Sequence, residues 1–160
     1  MTAPGTAPSG APIPLQGPLL GLDAGEKRVG VAAASALGIA LPLGFLEARP
    51  RAALLEKIRD LARDRQCVGL VIGLPLNMDG SEGPAARRAR DLGAEAGAAT
   101  GLPVEMWDER LSTFEAERKL AESPFKMRRR KGRVDAVAAA GILQSFLSER
   151  VERAKKQEEQ

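Results

Sequence analysis

The chain has 160 residues, with 24 Lys and Arg against 21 Asp and Glu, a net charge of +3 and a pI of about 9.3. That length allows one domain of ordinary size with a real core. With one cysteine, Cys67, and no histidine, an intramolecular disulfide, a cysteine-based zinc site and any catalytic scheme built on imidazole are excluded.

Hydrolysis here must therefore use carboxylates, Lys, Ser or Thr, or water activated by a metal. Tyrosine is absent and aromatics make up 3% of the chain, which argues against an aromatic stacking platform for single strands. No apolar run approaches the ~20 residues of a membrane span, so no membrane partner is expected. The lone cysteine fits a reducing compartment, and a mild net charge can hide local basic patches.

Residues 1–18 are Pro, Gly, Ala, Ser and Thr with scattered apolar positions. They lack the basic start and continuous apolar segment of a secretory signal and read as a disordered extension. Residues 19–23 and 29–35 are apolar runs around an Asp-x-Gly turn, the signature of a β-hairpin. Asp23 falls where the first strand runs out, and Gly25 lets the chain turn or lets a phosphate come close. Residues 39–47 are apolar with Pro42 inside, which suits an edge strand. Three strands joined by short turns predict an antiparallel meander.

Residues 51–65 read as an amphipathic helix, with Ala52, Leu55, Ile58 and Ala62 at helical spacing and Pro50 at its start. The continuous apolar run 67–73 follows as a buried parallel strand. A polar-tipped loop, 73–83, leads to a helix that Pro84 opens and Gly101 ends, with Arg87, Arg88 and Arg90 on its face. Residues 104–107 form the next strand, with Asp108 and Glu109 at its end. Ser112 to Glu115 has capping-box form and predicts a further helix that fades at Pro124. A basic loop, 126–133, precedes a last, apolar, Ala-rich helix over 134–147. Residues 149–160 are highly charged and read as a tail that frays into solvent. The expected fold class is α/β: a mixed sheet, three antiparallel strands plus parallel ones, flanked by helices. The domain proper spans 19–148.

Three acids stand out. Asp23 ends the first strand, Glu109 the last, and Asp135 lies in the first turn of the final helix. If the first strand is central and the run 67–73 separates it from 104–107, these carboxylates converge. Hard cations such as Mg²⁺ or Mn²⁺ want such oxygen ligands. Two ions roughly 3.5–4 Å apart can supply the attacking water and stabilise the leaving oxygen in phosphodiester hydrolysis. Each acid also has an ordinary structural reading: a surface ion pair of Glu109 with Arg110 or Lys119, a helix-dipole preference for Asp135, a turn residue for Asp23. Asp108 competes with Glu109, since alternation along a strand sends one of the two outward. The final helix favours a role for Asp135, because an acid in an apolar helix is costly unless paired or metal-bound. Lys126, Arg128, Arg129, Arg130, Lys131 and Arg133 precede Asp135, and Lys27 and Arg28 stand beside Asp23. Positive charge around such a centre would neutralise a nucleic-acid backbone. Arg87, Arg110 and Asn77 of the 73–83 loop complete the expected contact set.

The stretches LLGLDAGEKRVGVA, VIGLPLNMDGSEGPAARRAR, VEMWDERLST and VDAVAAAGILQSFL, in that order over residues 19 to 148, resemble the YqgF family, also called RuvX. Its bacterial members are named as Holliday junction resolvases and pre-16S rRNA nucleases. The resemblance implies an RNase H-like fold, a nuclease dependent on Mg²⁺ or Mn²⁺, and a cytoplasmic role in ribosomal RNA 5′-end maturation. It places the acidic positions on Asp23, Glu109 and Asp135. The family often has an aromatic after the first Asp and a Thr after the following Gly; Ala24 and Glu26 stand there in this chain.

Three functions remain in play from sequence. The first is a metal-dependent endonuclease on structured RNA, such as pre-16S rRNA, or on branched DNA, working as a monomer or a homodimer; a junction resolvase calls for the two-fold dimer. The second is a nucleic-acid-binding module without catalysis. The third is a phosphate-binding ATPase of the actin-like kinase type, disfavoured because the chain has no room for a second large domain.

Overall fold

The computed structural model describes residues 10–35, 37–111 and 131–159, with the backbone alone for 131–135. Five strands, β1 (Leu19–Ala24), β2 (Arg28–Ala34), β3 (Ala40–Glu47), β4 (Gly69–Leu74) and β5 (Val104–Asp108), form one sheet. Its order is β3-β2-β1-β4-β5. β1 pairs antiparallel with β2 and parallel with β4; β2 pairs antiparallel with β3, and β4 parallel with β5. The expected mixed sheet is present, and β1 occupies its centre. Leu19, Leu20 and Leu22 are accordingly buried, on both faces of the strand. That burial explains a continuous apolar run where a half-exposed strand would alternate.

Helices α1 (Arg51–Asp64) and α2 (Pro84–Thr100) cover one face of the sheet, and α3 (Lys131–Glu158) covers the other. The α1 boundary agrees with its sequence signals; of the expected stripe, Ile58 and Ala62 are buried and Leu55 packs partly buried against the core, while Ala52 is exposed and Leu54 is buried in addition. The helix packs against both α2 and β3, and Leu54 fills the side facing them. Gly101 ends α2 in the left-handed conformation at φ 72°, the backbone state that glycine adopts without strain.

Packing of α3 depends on small residues. Ala136, Ala139 and Ala140 are buried on the helix, Ala32 and Ala34 on β2. A Cβ on Gly21 of β1 would lie 2.9 Å from the Leu143 Cβ and 3.2 Å from the Ala139 carbonyl oxygen. Small side chains on both surfaces let helix and sheet approach closely.

Both ends of the chain differ from the sequence expectation. Part of the segment expected to be disordered, residues 10–18, is packed. Ile13 is buried against Gly69, and the Pro18 carbonyl accepts a hydrogen bond from the Val68 amide. The last helix starts at Lys131, not at Val134, and continues to Glu158 instead of fraying after Leu147. The reason is Arg150. Its guanidinium is buried and donates to the carbonyl oxygens of Pro14 (3.0 and 2.7 Å) and Gly17 (2.9 Å). One turn on, Arg153 pairs bidentately with Glu105 at 3.0–3.1 Å and lies over the Phe146 ring. The expected helix after Ser112 and most of the basic loop lie outside the described residues. No described helix is long and apolar enough to cross a membrane.

Replacing Arg150 by Ala removes a buried charge together with the only side chain seen to hold both the Pro14 and Gly17 carbonyls among the described residues. The expected loss is about 2–4 kcal/mol, read as a lower urea midpoint at unchanged slope.

Candidate active site

The site lies at the carboxyl ends of the parallel strands β1, β4 and β5, the end where open α/β sheets place their ligands. Alternation along β1 decides where Asp23 goes. Gly21 faces α3, so Asp23, two residues on, projects from the same face. The same rule settles the choice at the end of β5. Trp107 faces α3: its indole Nε1 donates to Ser145 Oγ at 3.0 Å, and its ring packs edge-on against Phe146. Glu109, two residues later, is therefore directed to the α3 side, and Asp108 to the other. Ser145 Oγ also donates to the Leu111 carbonyl at 2.8 Å, which fixes the 3-10 turn Glu109–Leu111 to the helix.

Glu109 and Asp23 stand two strands apart, with β4 between them. Their carboxyl groups nevertheless come close enough to interact directly. Gly73 makes this reach possible. A Cβ there would lie 2.8 Å from Glu109 Oε1 and 3.1 Å from its Cγ, and would also run into Ile142 Cδ1. The glutamate side chain thus crosses β4 through the space a side chain at position 73 would fill.

The pair is electrostatically loaded. Burial, then the neighbouring Asp23 charge and carboxyl contact, then Asp108, push the Glu109 carboxyl up from 4.5 to about 7. Two acids so placed cannot both ionise cheaply; either a proton or a cation must sit with them. Asp108 behaves oppositely. The Arg110 guanidinium grips it at 2.8–3.1 Å and holds its carboxyl below the usual range. Arg110 thus pairs with Asp108 rather than Glu109; Lys119 lies outside the described residues.

Asp135 belongs to the first turn of α3. The helix runs antiparallel to β1: Arg150 reaches Gly17, just before the strand, whereas Ala139 lies at Gly21. One turn before Ala139, the Asp135 backbone stands toward the Asp23 end. Its side chain lies outside the described residues, and among those described no group of three or more potential ligands gathers at one point. The donor chemistry in hand, two crowded carboxylates with only oxygen to offer, fits Mg²⁺ or Mn²⁺ and not a soft-ligand metal.

The expected nucleic-acid contacts divide. Lys27 is exposed in the β1–β2 turn, and the Arg28 guanidinium lies 5.4 Å from the centre of the Phe45 ring. Arg87 is exposed in the first turns of α2. Asn77 is exposed in the β4–α2 loop and donates to Ser81 Oγ at 2.9 Å. Two arginines of the expected track are already engaged: Arg88 donates to Glu26 at 3.1 Å, and Arg90 clasps Glu82 at 2.6 and 2.7 Å. Lys126, Arg128, Arg129 and Arg130 lie outside the described residues, as do the side chains of Lys131 and Arg133, whose backbone is already helical. Sequence reading passed over Gly73, and the only local hint was a glycine closing a fully buried strand. Nothing in the sequence pointed to the Glu26–Arg88 pair, whose partners are 62 residues apart.

Comparison with known proteins adds three findings. Residues 17–149 match the family model described as RuvX, Holliday junction resolvase. A protein of Anaeromyxobacter sp. (strain Fw109-5), provisionally named pre-16S rRNA nuclease, is 52% identical over 132 residues, covering 82% of this chain and 96% of the relative. One from Rhodobacter capsulatus with the same provisional name is 43% identical over 148 residues, covering 92% and 93%. Among solved structures, T. thermophilus RuvC in complex with Holliday junction substrate is similar with a TM-score of 0.60 at 12% identity, over 85% of this chain and 96% of that one. The likeness shows a shared RNase H-like fold.

The raised Glu109 carboxyl has a measurable sign. A carboxyl whose folded pKa exceeds its unfolded one opposes folding increasingly as pH rises from 4.5 to about 7, and fully above that. In metal-free protein, Glu109→Gln should therefore raise Tm at pH 8 and change it little at pH 4.5. Added Mg²⁺ should raise the Tm of the parent protein at pH 8 and that of the variant less.

Proposed function

Because this chain belongs to the RuvX family, we propose that it is a divalent-metal-dependent endonuclease that hydrolyses phosphodiester bonds in structured nucleic acid. Its proposed substrates are the 5′ end of pre-16S rRNA, four-way DNA junctions, or both, in the cytoplasm. The names of the curated relatives support the first, and the description of the family model supports the second. The observation that carries the reading is the Asp23–Glu109 carboxyl contact over Gly73.

In this reading Asp23, Glu109 and Asp135 hold Mg²⁺ or Mn²⁺. Such ions, when bound, lower the pKa of water and offset charge on the phosphate. The surroundings of Glu109 push its carboxyl up to about 7, so they favour the protonated form, and a cation held there would favour the ionised one. Lys27, Arg28 and Arg87, with the basic segment before Asp135, neutralise the phosphate backbone and position it. The Arg110–Asp108 pair holds the strand end still beside Glu109, so the carboxylates keep their geometry as substrate enters.

A cleavage assay tests this with two substrates, a pre-16S rRNA 5′ leader and a four-way DNA junction, under one salt and with Mg²⁺ or Mn²⁺. Cutting of at least one, abolished by chelation, is the expected result. Asp23→Asn should lower the rate roughly 100-fold or more while leaving Kd within about threefold. Full activity in that variant would remove Asp23 from the mechanism. Parent protein that binds both substrates and cuts neither would point to a binding module instead.

A further inference from the structure

The loop between β4 and α2 presents a feature that metal binding and backbone neutralisation do not use. Its Met78 side chain is 99% exposed. A single exposed apolar residue is ordinary, but this one is displayed on a braced frame. Leu76 and Glu82 form an isolated antiparallel bridge. The Asn77 amide donates to the Ser81 carbonyl at 2.9 Å, and the Gly80 amide to the Asn77 carbonyl at 2.9 Å. Asp79 accepts from both the amide and the hydroxyl of Ser81, at 2.9 and 2.6 Å. Two arginines fasten this frame to the body: Arg90 of α2 holds Glu82 at its base, and Arg110 donates to the Met78 carbonyl at 3.4 Å. Arg110 is the residue after Glu109. The exposed thioether is thereby carried at the carboxylate end of the sheet, on a loop whose backbone is tied to the site.

We propose that Met78 is a wedge that packs against the face of an unpaired or unstacked base next to the phosphate being cut, and so positions structured nucleic acid at the carboxylate pair. This rests on the nuclease reading above. The chemistry suits the role. An unbranched, polarizable side chain conforms to a flat ring, and apolar side chains including Met are known to enter opened base steps. The polar neighbours Asn77, Asp79 and Ser81 hydrogen-bond one another within the loop, so they brace Met78. The proposal also accounts for a chain poor in aromatics that must still distinguish branched from regular duplex: one apolar contact senses whether a base step is open.

The test uses Asp23→Asn protein, so that substrate stays intact, and a four-way DNA junction carrying 2-aminopurine at the branch point; the same probe in the pre-16S leader forms a second arm. Binding should raise the 2-aminopurine fluorescence at least twofold in one arm. Adding Met78→Ala should abolish most of that rise, with Kd changed less than about threefold because phosphate contacts dominate affinity. Adding Met78→Leu should restore it. Removal of a side chain this exposed should leave Tm unchanged, and Tm serves as the control for folding. In otherwise unaltered protein, Met78→Ala should lower cleavage about tenfold. An undiminished fluorescence rise in Met78→Ala, with binding intact, would overturn the wedge and leave the nuclease reading standing. Failure of the Asp23→Asn protein to bind either probe would overturn both.

Discussion

Two carboxyl groups that would repel one another in isolation are held within direct reach at the end of the sheet, and the rest of the site is arranged around that approach. Glu109 reaches Asp23 because Gly73 vacates the intervening strand and because Ser145 and Trp107 anchor the end of β5 to α3. The cost appears as a glutamate pushed to about 7. A fold optimised for stability alone would place a cation or an apolar residue there. Keeping two acids together is the kind of local conflict that proteins retain at sites of function.

The scaffold that maintains this conflict is stiff for an identifiable reason. α3 crosses the sheet on small residues, with Gly21, Ala32 and Ala34 below it and Ala136, Ala139 and Ala140 on it. Close approach of helix and sheet leaves little freedom to slide. The far end is fastened as well: buried Arg150 ties the segment before β1 to α3, and Arg153 ties the same helix to β5. The helix that carries Asp135 is thus fixed at one end by the chain leading into β1, the strand that carries Asp23. Asp23 stands at the end of β1, and Glu109 in a 3-10 turn that Ser145 ties to α3.

Around the carboxylates, positive charge is distributed in two ways. Lys27 and Arg87 are exposed. Arg88, Arg90 and Arg110 are each matched to an acid, Glu26, Glu82 and Asp108. Exposed pairs of this kind contribute little to stability. Those made by Arg90 and Arg110 bracket the β4–α2 loop and fix where its exposed Met78 is carried.

Much of the fold was legible in the sequence because period and punctuation report local physics directly. The hairpin around Gly25, the start of α1 after Pro50 and the span of α2 between Pro84 and Gly101 needed only apolar spacing and turn chemistry. So did the reading of 67–73 as a buried parallel strand, since a run buried on both faces loses its alternation. Proximity was not legible. The meeting of Asp23 and Glu109, the gap at Gly73 that permits it, the outward turn of Asp108 onto Arg110, and the docking of residues 10–18 under Arg150 all join positions that no local pattern relates. Leu54 took a buried place on α1 that Ala52 was expected to take, and α3 ran past its expected end, for the same reason. Sequence by itself determined which segments are helix and strand and which acids were worth watching, because those depend on neighbours along the chain; tertiary structure decided which acids touch and which arginines are engaged, because these depend on neighbours across the sheet.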